Sequence, residues 1–71
     1  MKWKRITELK DHINVASLFR RSGIPAGTAK ASASYDRDLD HVSARRLYQH
    51  LQITIVALEE VSLELTAEIV D

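Results

Sequence analysis

Apolar residues recur at helical spacing near the start of the chain and alternate with polar residues near its end. Ile6, Leu9 and Ile13 are spaced as one face of a helix, which favours a helix over about residues 6–12. The lysines on either side of Trp3 also fit a short strand. Trp3 is expected to pack in the core or in a dimer contact, because a lone aromatic residue between lysines is weak support for base stacking.

A tight helical corner follows this first segment. Asn14 can cap a helix over residues 15–22 through its side-chain oxygen. The apolar residues of that helix share one face: Val15, Leu18 and Phe19. Gly23 stands where the chain leaves the helix, and Pro25 suits the first position of a second helix over residues 25–34. Helices joined so tightly cross steeply, as in a helix-turn-helix, although a plain helical corner shares the pattern.

Residues 35–41 are polar and lack periodicity, which predicts a loop. Asp40 or Ser43 can cap the helix that follows, and the apolar spacing predicts this helix over residues 43–51. Four residues are expected on its inner face: Ala44, Leu47, Tyr48 and Leu51. The arginines of this segment are expected on its outer face.

The last part of the chain fits two kinds of secondary structure. β-Branched residues 53–56 are typical of a strand, whereas Thr54 equally suits the cap of a helix. Apolar and polar residues alternate over 61–69, and we favour a strand there. The helical alternative puts four residues on one face: Leu58, Val61, Leu65 and Ile69. A lone strand needs a partner, either its copy in a second subunit or residues 2–5.

Length and composition indicate one small domain over residues 1–71. A chain this short buries only about 60% of its unfolded surface. It contains no cysteine, so oligomerisation is the expected source of further stability. The three histidines lack metal-ligand spacing, and we predict no metal, cofactor or small-molecule ligand. No run is apolar enough for a membrane span or a signal peptide, which predicts a cytoplasmic protein without a membrane partner.

Charge is divided unevenly along the chain, although the net charge is zero. All ten lysines and arginines lie within residues 1–50 together with five acids, a balance of +5. Residues 51–71 carry the other five acids and no base. A basic body suits contact with phosphates and an acidic tail suits self-association, although ordinary solvated charge explains the same distribution.

Two blocks within residues 6–58 resemble one protein family. Residues 22–25 (Ser-Gly-Ile-Pro), followed by Thr28, resemble the Gly-Val-Ser-x-x-Thr of lambda-repressor-like helix-turn-helix domains of the Xre or Cro type. Residues 47–58 are similar to the Leu-Ala-x-x-Leu-x-Val-Ser-x-x-x-Leu of the same family. The interval between the two blocks also suits the family without a gap.

The resemblance implies a mainly α fold, namely a compact five-helix domain that binds duplex DNA as a dimer. It places the helix-turn-helix at about residues 15–34 and a fifth helix at residues 54–60. A C-terminal dimer element would then occupy about residues 58–71, with a β-strand as one of its two candidate conformations. Its expected contact residues are Leu58, Val61, Leu63, Leu65 and Ile69.

The resemblance also implies a DNA-binding surface centred on the second helix of the corner. The family's base-reading positions fall on four residues: Ala26, Gly27, Lys30 and Ala31. Only Lys30 among them can donate a charged hydrogen bond to guanine. The full predicted DNA-binding set is Ala26, Gly27, Thr28, Lys30, Ala31, Ser34, Arg37, Arg20, Arg21 and Arg45, with Arg46 a further candidate for phosphate contact. Positions of the family's core fall on Ala29 and Ser32, and Val15 replaces a common phosphate-anchoring glutamine.

Two functions therefore stand as expectations. The first is a small sequence-specific transcriptional regulator, a repressor of the phage, plasmid or antitoxin type, which binds operator DNA as a homodimer. The second is a protein-binding module or phage-encoded inhibitor on the same scaffold. An enzyme is not expected, because the chain lacks a phosphate-binding glycine loop, an apolar carboxylate pair and a nucleophile signature.

Overall fold

The computed structural model describes residues 1–69 and is mainly α-helical, as predicted. A short helix α1 is followed by a single 3-10 turn, and helices α2, α3 and α4 complete the order. Their bounds are Trp3–Thr7 for α1, Glu8–Asp11 for the 3-10 turn, Val15–Arg21 for α2, Ala26–Ser34 for α3 and His41–Ile69 for α4.

The corner between α2 and α3 has the local structure that its residues predict. The side chain of Asn14 accepts a hydrogen bond from the backbone N–H of Ser17 at 3.0 Å, which caps α2. Gly23 has a φ of 74°, the left-handed conformation expected of a residue that ends a helix. The N–H groups of Gly23 and Ile24 donate to the carbonyls of Arg20 and Phe19, which is the Schellman arrangement. Pro25 lies just before α3 and not inside its first turn.

The N-terminal helix begins earlier than predicted, because its first residues are tied to the loop before α4. The N–H of Trp3 donates to the carbonyl of Arg37 at 3.0 Å, and the N–H of Leu39 donates to the carbonyl of Met1 at 2.8 Å. Lys2 and Asp38 form an isolated antiparallel bridge that does not extend into a strand. The expected helix over residues 6–12 is therefore replaced by α1 and the 3-10 turn.

A small core holds the first three helices against the start of α4. Trp3 is buried, as expected, and its ring centroid lies 6.2 Å from that of Phe19. The other buried apolar residues of this core are Ile6, Val15, Leu18, Ile24, Ala29 and Leu47. Leu47 is only 1% exposed, whereas its neighbour Tyr48 is 63% exposed, so the prediction of Tyr48 on the inner face is wrong. One residue along a helix rotates the side chain by about 100°, which turns Tyr48 away from α2.

Helix α4 is continuous over a segment where we predicted a helix, a second helix and a strand. The five-helix count and the β-strand are not confirmed, because α4 runs unbroken to Ile69. Thr54 does not cap a new helix; its hydroxyl donates to the carbonyl of His50, four residues back, at 2.9 Å. Thr66 donates to the carbonyl of Ser62 in the same way. The last two positions of the predicted dimer element, 70 and 71, lie outside the described residues.

The physical reason for this difference is backbone hydrogen bonding. The apolar residues of 51–69 fit both periods, and no glycine or proline interrupts the segment. A helix pairs its N–H and C=O groups within itself, whereas a strand needs a second strand. The described residues contain no strand to pair with it. The helix is therefore the conformation that leaves fewer groups unpaired.

The result is a compact body with a projecting helical tail. The principal extents are 51 × 21 × 19 Å, and the radius of gyration is 14.7 Å. A compact chain of this length would have a radius of gyration of about 11 Å. Every residue after Thr54 is exposed up to Ile69, so the end of α4 projects away from the body. In the part of the chain that the structure describes, no helix combines the length and apolar character needed to cross a membrane.

Asp40 immediately precedes α4 and caps its first turn, which makes the stability of the fold depend on pH. Its carboxylate accepts a hydrogen bond from the N–H of Ser43 at 3.0 Å, and this bond, followed by the Ser43 hydroxyl, lowers the pKa of Asp40. A carboxylate with a lowered native pKa stabilises the fold above its unfolded pKa, and this stabilisation is lost as the pH falls through the native pKa.

We therefore expect Asp40→Ala to lower the melting temperature at pH 7, and the difference from the parent protein to shrink below about pH 4. Thermal unfolding followed by circular dichroism over this pH range measures the effect. Asp11→Ala, which changes an exposed aspartate in the 3-10 turn, is the control. A difference between parent and Asp40→Ala that stays constant with pH would contradict the capping role of the charge.

Candidate nucleic-acid interface

Helix α3 presents a face of small side chains to solvent. Ala29 and Ser32, 1% and 6% exposed, turn toward the body. The predicted DNA-binding residues of this helix are all exposed: Ala26, Gly27, Thr28, Lys30, Ala31 and Ser34. A Cβ atom added at Gly27 would meet nothing within 4 Å, so this position opens directly to solvent. The backbone of α3 can therefore be approached closely along the face that Gly27 and Ala31 share.

Two arginines border α3 on one side. Arg37 and Arg46 line a recess of about 430 Å³ together with Thr28 of α3, the turn at Gly23 and the carboxylates of Asp38 and Asp40. Arg46 comes from α4, and its Nη1 lies 3.5 Å from the position of a Cβ built on Gly23. The fold thus brings together two arginines that are nine residues apart in sequence. Two guanidinium groups beside a helix can contact successive phosphates of one DNA strand.

The other side of α3 is less polar. Lys30 and Ser34 line a groove of about 400 Å³ between α3, α2 and the end of α1. Most of the remaining lining is apolar: Ala16, Phe19, Ala26, Ala29 and Ala33, with Thr7 at one end. Lys30 is the only charged group at this groove, so its side chain carries the one long donor on that side of the helix.

The predicted arginines do not form one cluster. Arg20 lines a recess beside the turn and the first residue of α3, within reach of the candidate interface. Arg21 lines a different recess, between α2 and Thr54 of α4. Arg45 lines a recess along α4 that it shares with His41, Gln49 and Arg46, and Arg46 also lines the recess beside α3. The structure therefore places Arg20, Arg37 and Arg46 at recesses that α3 helps to line, and Arg21 and Arg45 at recesses that α3 does not line.

Tyr35, immediately after α3, was not among the predicted site residues. It is 73% exposed, and the guanidinium carbon of Arg37 lies 5.6 Å from the centre of its ring, a cation–π contact. The backbone of Arg37 is held by its carbonyl, which accepts from Trp3, and by its N–H, which donates to Ser32. The sequence did contain a signal for Tyr35, because an aromatic residue lies two positions before an arginine in a polar loop. A fixed Arg37 loses less conformational entropy when it binds a phosphate.

Acidic residues adjoin this surface, and one lysine offsets two of them. The Nζ of Lys2 lies 3.4 Å from a carboxylate oxygen of Asp38 and 3.9 Å from one of Asp36. It also donates to the backbone carbonyl of Asp36 at 3.1 Å. These exposed pairs contribute little stability, but they reduce the negative potential next to Arg37. Asp36 has a φ of 53°, so the chain turns sharply here.

The described residues contain no cluster of three histidine, cysteine or carboxylate side chains able to hold a metal ion. No protein-family model, curated protein or solved structure matches the chain.

Proposed function

We propose that the protein is a small DNA-binding transcriptional regulator that acts as a homodimer on duplex DNA. The observation that carries the proposal is the exposed, small-residue face of α3, which follows a tight glycine turn and is bordered by Arg37 and Arg46. A helix of this kind fits the major groove, which admits an α-helix and exposes the base edges. Repression would follow from occlusion of a promoter by the bound dimer.

The small side chains of α3 allow close contact with DNA, but they can form few base-specific hydrogen bonds. Ala26 and Ala31 can touch thymine methyl groups, and Lys30 can donate to the acceptors of guanine. Sequence selection at other positions would come from the shape and deformability of the DNA. The proposed interface thus combines modest direct readout with phosphate contacts from the neighbouring arginines.

The charge distribution supports the same orientation. The acids of residues 51–69, which begin at Glu59, lie on the exposed tail beyond the body. The basic side chains at the recess beside α3 belong to the body. DNA phosphates attract the body and repel the tail, so this separation of charge orients an approaching protein with α3 toward the DNA.

Binding to duplex DNA is expected to weaken as salt rises, and single neutral substitutions near α3 should reduce this dependence. Each lost phosphate contact lowers the slope of log K against log salt by about 0.9. We expect this change for Arg37→Ala and Arg46→Ala. Fluorescence anisotropy of a labelled duplex, titrated with protein at several salt concentrations, measures both the affinity and the slope.

Lys10→Ala is the matched control, because Lys10 is an exposed base on the 3-10 turn, away from the recesses that border α3. It removes the same charge and should leave the slope nearly unchanged. The proposal is wrong if the parent protein shows no salt-dependent affinity for duplex DNA. Equal losses for Lys10→Ala and Arg37→Ala would show diffuse attraction and no defined interface.

A second candidate function is docking of a protein partner on the same helix. The mostly apolar groove beside Lys30, which includes Phe19 and Ala33, is the feature that favours it. Protein interfaces use apolar central contacts, whereas a DNA interface uses mainly charged and polar groups. Substitution of Ala33 by glutamate should abolish protein docking at the groove. Loss of duplex affinity in the same variant, with its fold intact, would assign the groove to DNA binding.

A further inference from the structure

The exposed tail of α4 carries a stripe with the spacing of a coiled coil, and this stripe is apolar at every position except Ser62. Its positions are separated alternately by three and four residues, and we call this set the tail stripe: Ile55, Leu58, Ser62, Leu65 and Ile69. The exposed fraction is 41% at Ile55, 58% at Leu58 and 76% at Ile69. An alternation of three and four residues keeps one face of a helix turned toward a partner helix.

The tail stripe continues a face that the body itself covers. Leu47 and Leu51 precede Ile55 at intervals of four residues, and they pack against the core under α2. Leu47 is buried and Leu51 half-buried, and every residue from Ile55 to Ile69 is exposed, beyond the point where Thr54 lies beside Asn14. The same face is therefore covered by the chain in its first part and left open in its second. All four glutamates of the described tail, Glu59, Glu60, Glu64 and Glu68, fall outside the tail stripe.

We propose that a second copy of this chain covers the tail stripe, with the two tails packed antiparallel. Position 60 lies midway between Ile69 and the half-buried Leu51, and a twofold axis there places Ile55 opposite the partner's Leu65. The same axis places Leu58 opposite the partner's Ser62, and Leu51 opposite the partner's Ile69. The whole stripe is then paired without an apolar residue left over.

The position of the body excludes the parallel arrangement. Because α2 covers the start of the same face, each body lies on the side of its tail that would face a parallel partner. Two bodies would then occupy the same space at one end of the pair. In the antiparallel arrangement they lie at opposite ends, and each tail tip meets the base of the partner's tail.

The charges are complementary where the tip of one tail meets the start of the partner's tail. A recess of about 170 Å³ lies where α2 meets α4, and its lining is Ile13, Asn14, Ser17, Leu18, Arg21 and Thr54. The antiparallel register brings the partner's Glu68 beside Thr54, and therefore next to Arg21. A glutamate near an arginine at the rim of a contact favours this pairing over one that joins the acidic tails in parallel. Arg21, which the structure places away from α3, thus acquires a contact.

The spacing of the two bodies agrees with the proposed function. Of the features of the antiparallel dimer, only this spacing rests on that proposed function. Leu47 is 13 residues from position 60, which is about 20 Å along a helix. The two bodies are then separated by about 39 Å along the pair. Two half-sites on one face of DNA lie about 34–36 Å apart. An antiparallel pair therefore holds two copies of α3 at a separation of the order of one helical turn of DNA.

Sedimentation without DNA tests the association, so its result is independent of the DNA titration. We expect the parent protein to sediment with the mass of two 8.0 kDa chains at micromolar concentration. Leu58→Glu should give the mass of one chain. Leu63→Glu is the matched control. Leu63 is one of the dimer contacts predicted from the sequence, but it is 71% exposed and the helix places it off the tail stripe, so this variant should remain a dimer. A monomeric parent protein, or a dimeric Leu58→Glu, would overturn the proposal.

Disulfide formation tests the orientation, since the chain has no cysteine of its own. A mixture of Ile55→Cys and Leu65→Cys should form a disulfide between the two variants on oxidation, and neither variant alone should form one efficiently. Efficient cross-linking of Ile55→Cys to itself would show parallel tails and would overturn the arrangement.

A charge exchange tests the register. Arg21→Glu should raise the dimer dissociation constant several-fold, and Glu68→Arg added to it should restore the affinity. Arg20→Glu, which changes the adjacent arginine near α3, should have no effect without DNA. Equal losses for Arg20→Glu and Arg21→Glu would overturn the placement of the tail tip.

Discussion

Replacement of Leu47 by alanine is expected to remove most of the stability of the fold. Leu47 is the one large side chain of the described residues that is less than 2% exposed, and it joins α4 to the core formed by the first three helices. Loss of a buried leucine side chain costs about 2–5 kcal/mol, from its own transfer to water and from the cavity it leaves. A domain of this size rarely has more than about 3–5 kcal/mol of stability.

Urea unfolding, followed by the fluorescence of Trp3, measures this loss. Trp3 is the only tryptophan of the chain and is buried against Phe19, so it reports directly on the core. Tyr48→Ala is the matched control, because it removes a large side chain from the next position of the same helix, where it is exposed. Protein concentration must be equal for all variants, since association couples stability to concentration. Similar unfolding midpoints for Leu47→Ala and Tyr48→Ala would contradict the core as described.

Gly27→Leu is expected to separate DNA binding from folding. The open space around Gly27 can hold a leucine side chain without a clash, and a glycine inside a helix is less favourable than alanine by about 1 kcal/mol. The variant should therefore fold at least as stably as the parent protein. The same side chain would project from the middle of the face of α3 that is proposed to enter the major groove. We expect a loss of duplex affinity of at least about tenfold, equivalent to 1.4 kcal/mol.

Gly27→Ala provides the control for this substitution. It gains the helix propensity of alanine and adds only a methyl group, so the fold should become more stable while DNA affinity changes little. Anisotropy titrations and thermal unfolding of the same preparations give both quantities. If Gly27→Leu binds duplex DNA as the parent protein does, α3 is not the reading helix. If Gly27→Leu unfolds, Gly27 has a packing role that its surroundings do not indicate.

Local interactions explain why the corner was predictable from the sequence. The Asn14 cap and the left-handed Gly23 each depend on residues within a few positions of one another. Such interactions are visible in sequence because the chain brings these groups together whatever the rest of it does. The alternation of exposed and buried residues on α3 follows from the same helical period.

The surroundings of that corner depended on contacts between distant residues. Arg46 reaches the turn at Gly23 only because α4 packs on α2, and Arg37 is held only because the chain start pairs with its loop. Sequence spacing does not show such approaches. For that reason it could not separate Arg20, which lies near α3, from Arg21, which lies near α4.

The sequence by itself therefore determined the mainly α class, the corner and the segregation of charge between body and tail. It did not determine the conformation of the tail, because apolar residues spaced by two, three and four positions satisfy a strand and a helix equally well. The tertiary structure decided this point: the described residues contain no strand that could pair with the tail, and a helix satisfies its own backbone hydrogen bonds. Continuation of α4 past the body then left the apolar residues of the tail exposed along one uninterrupted helix.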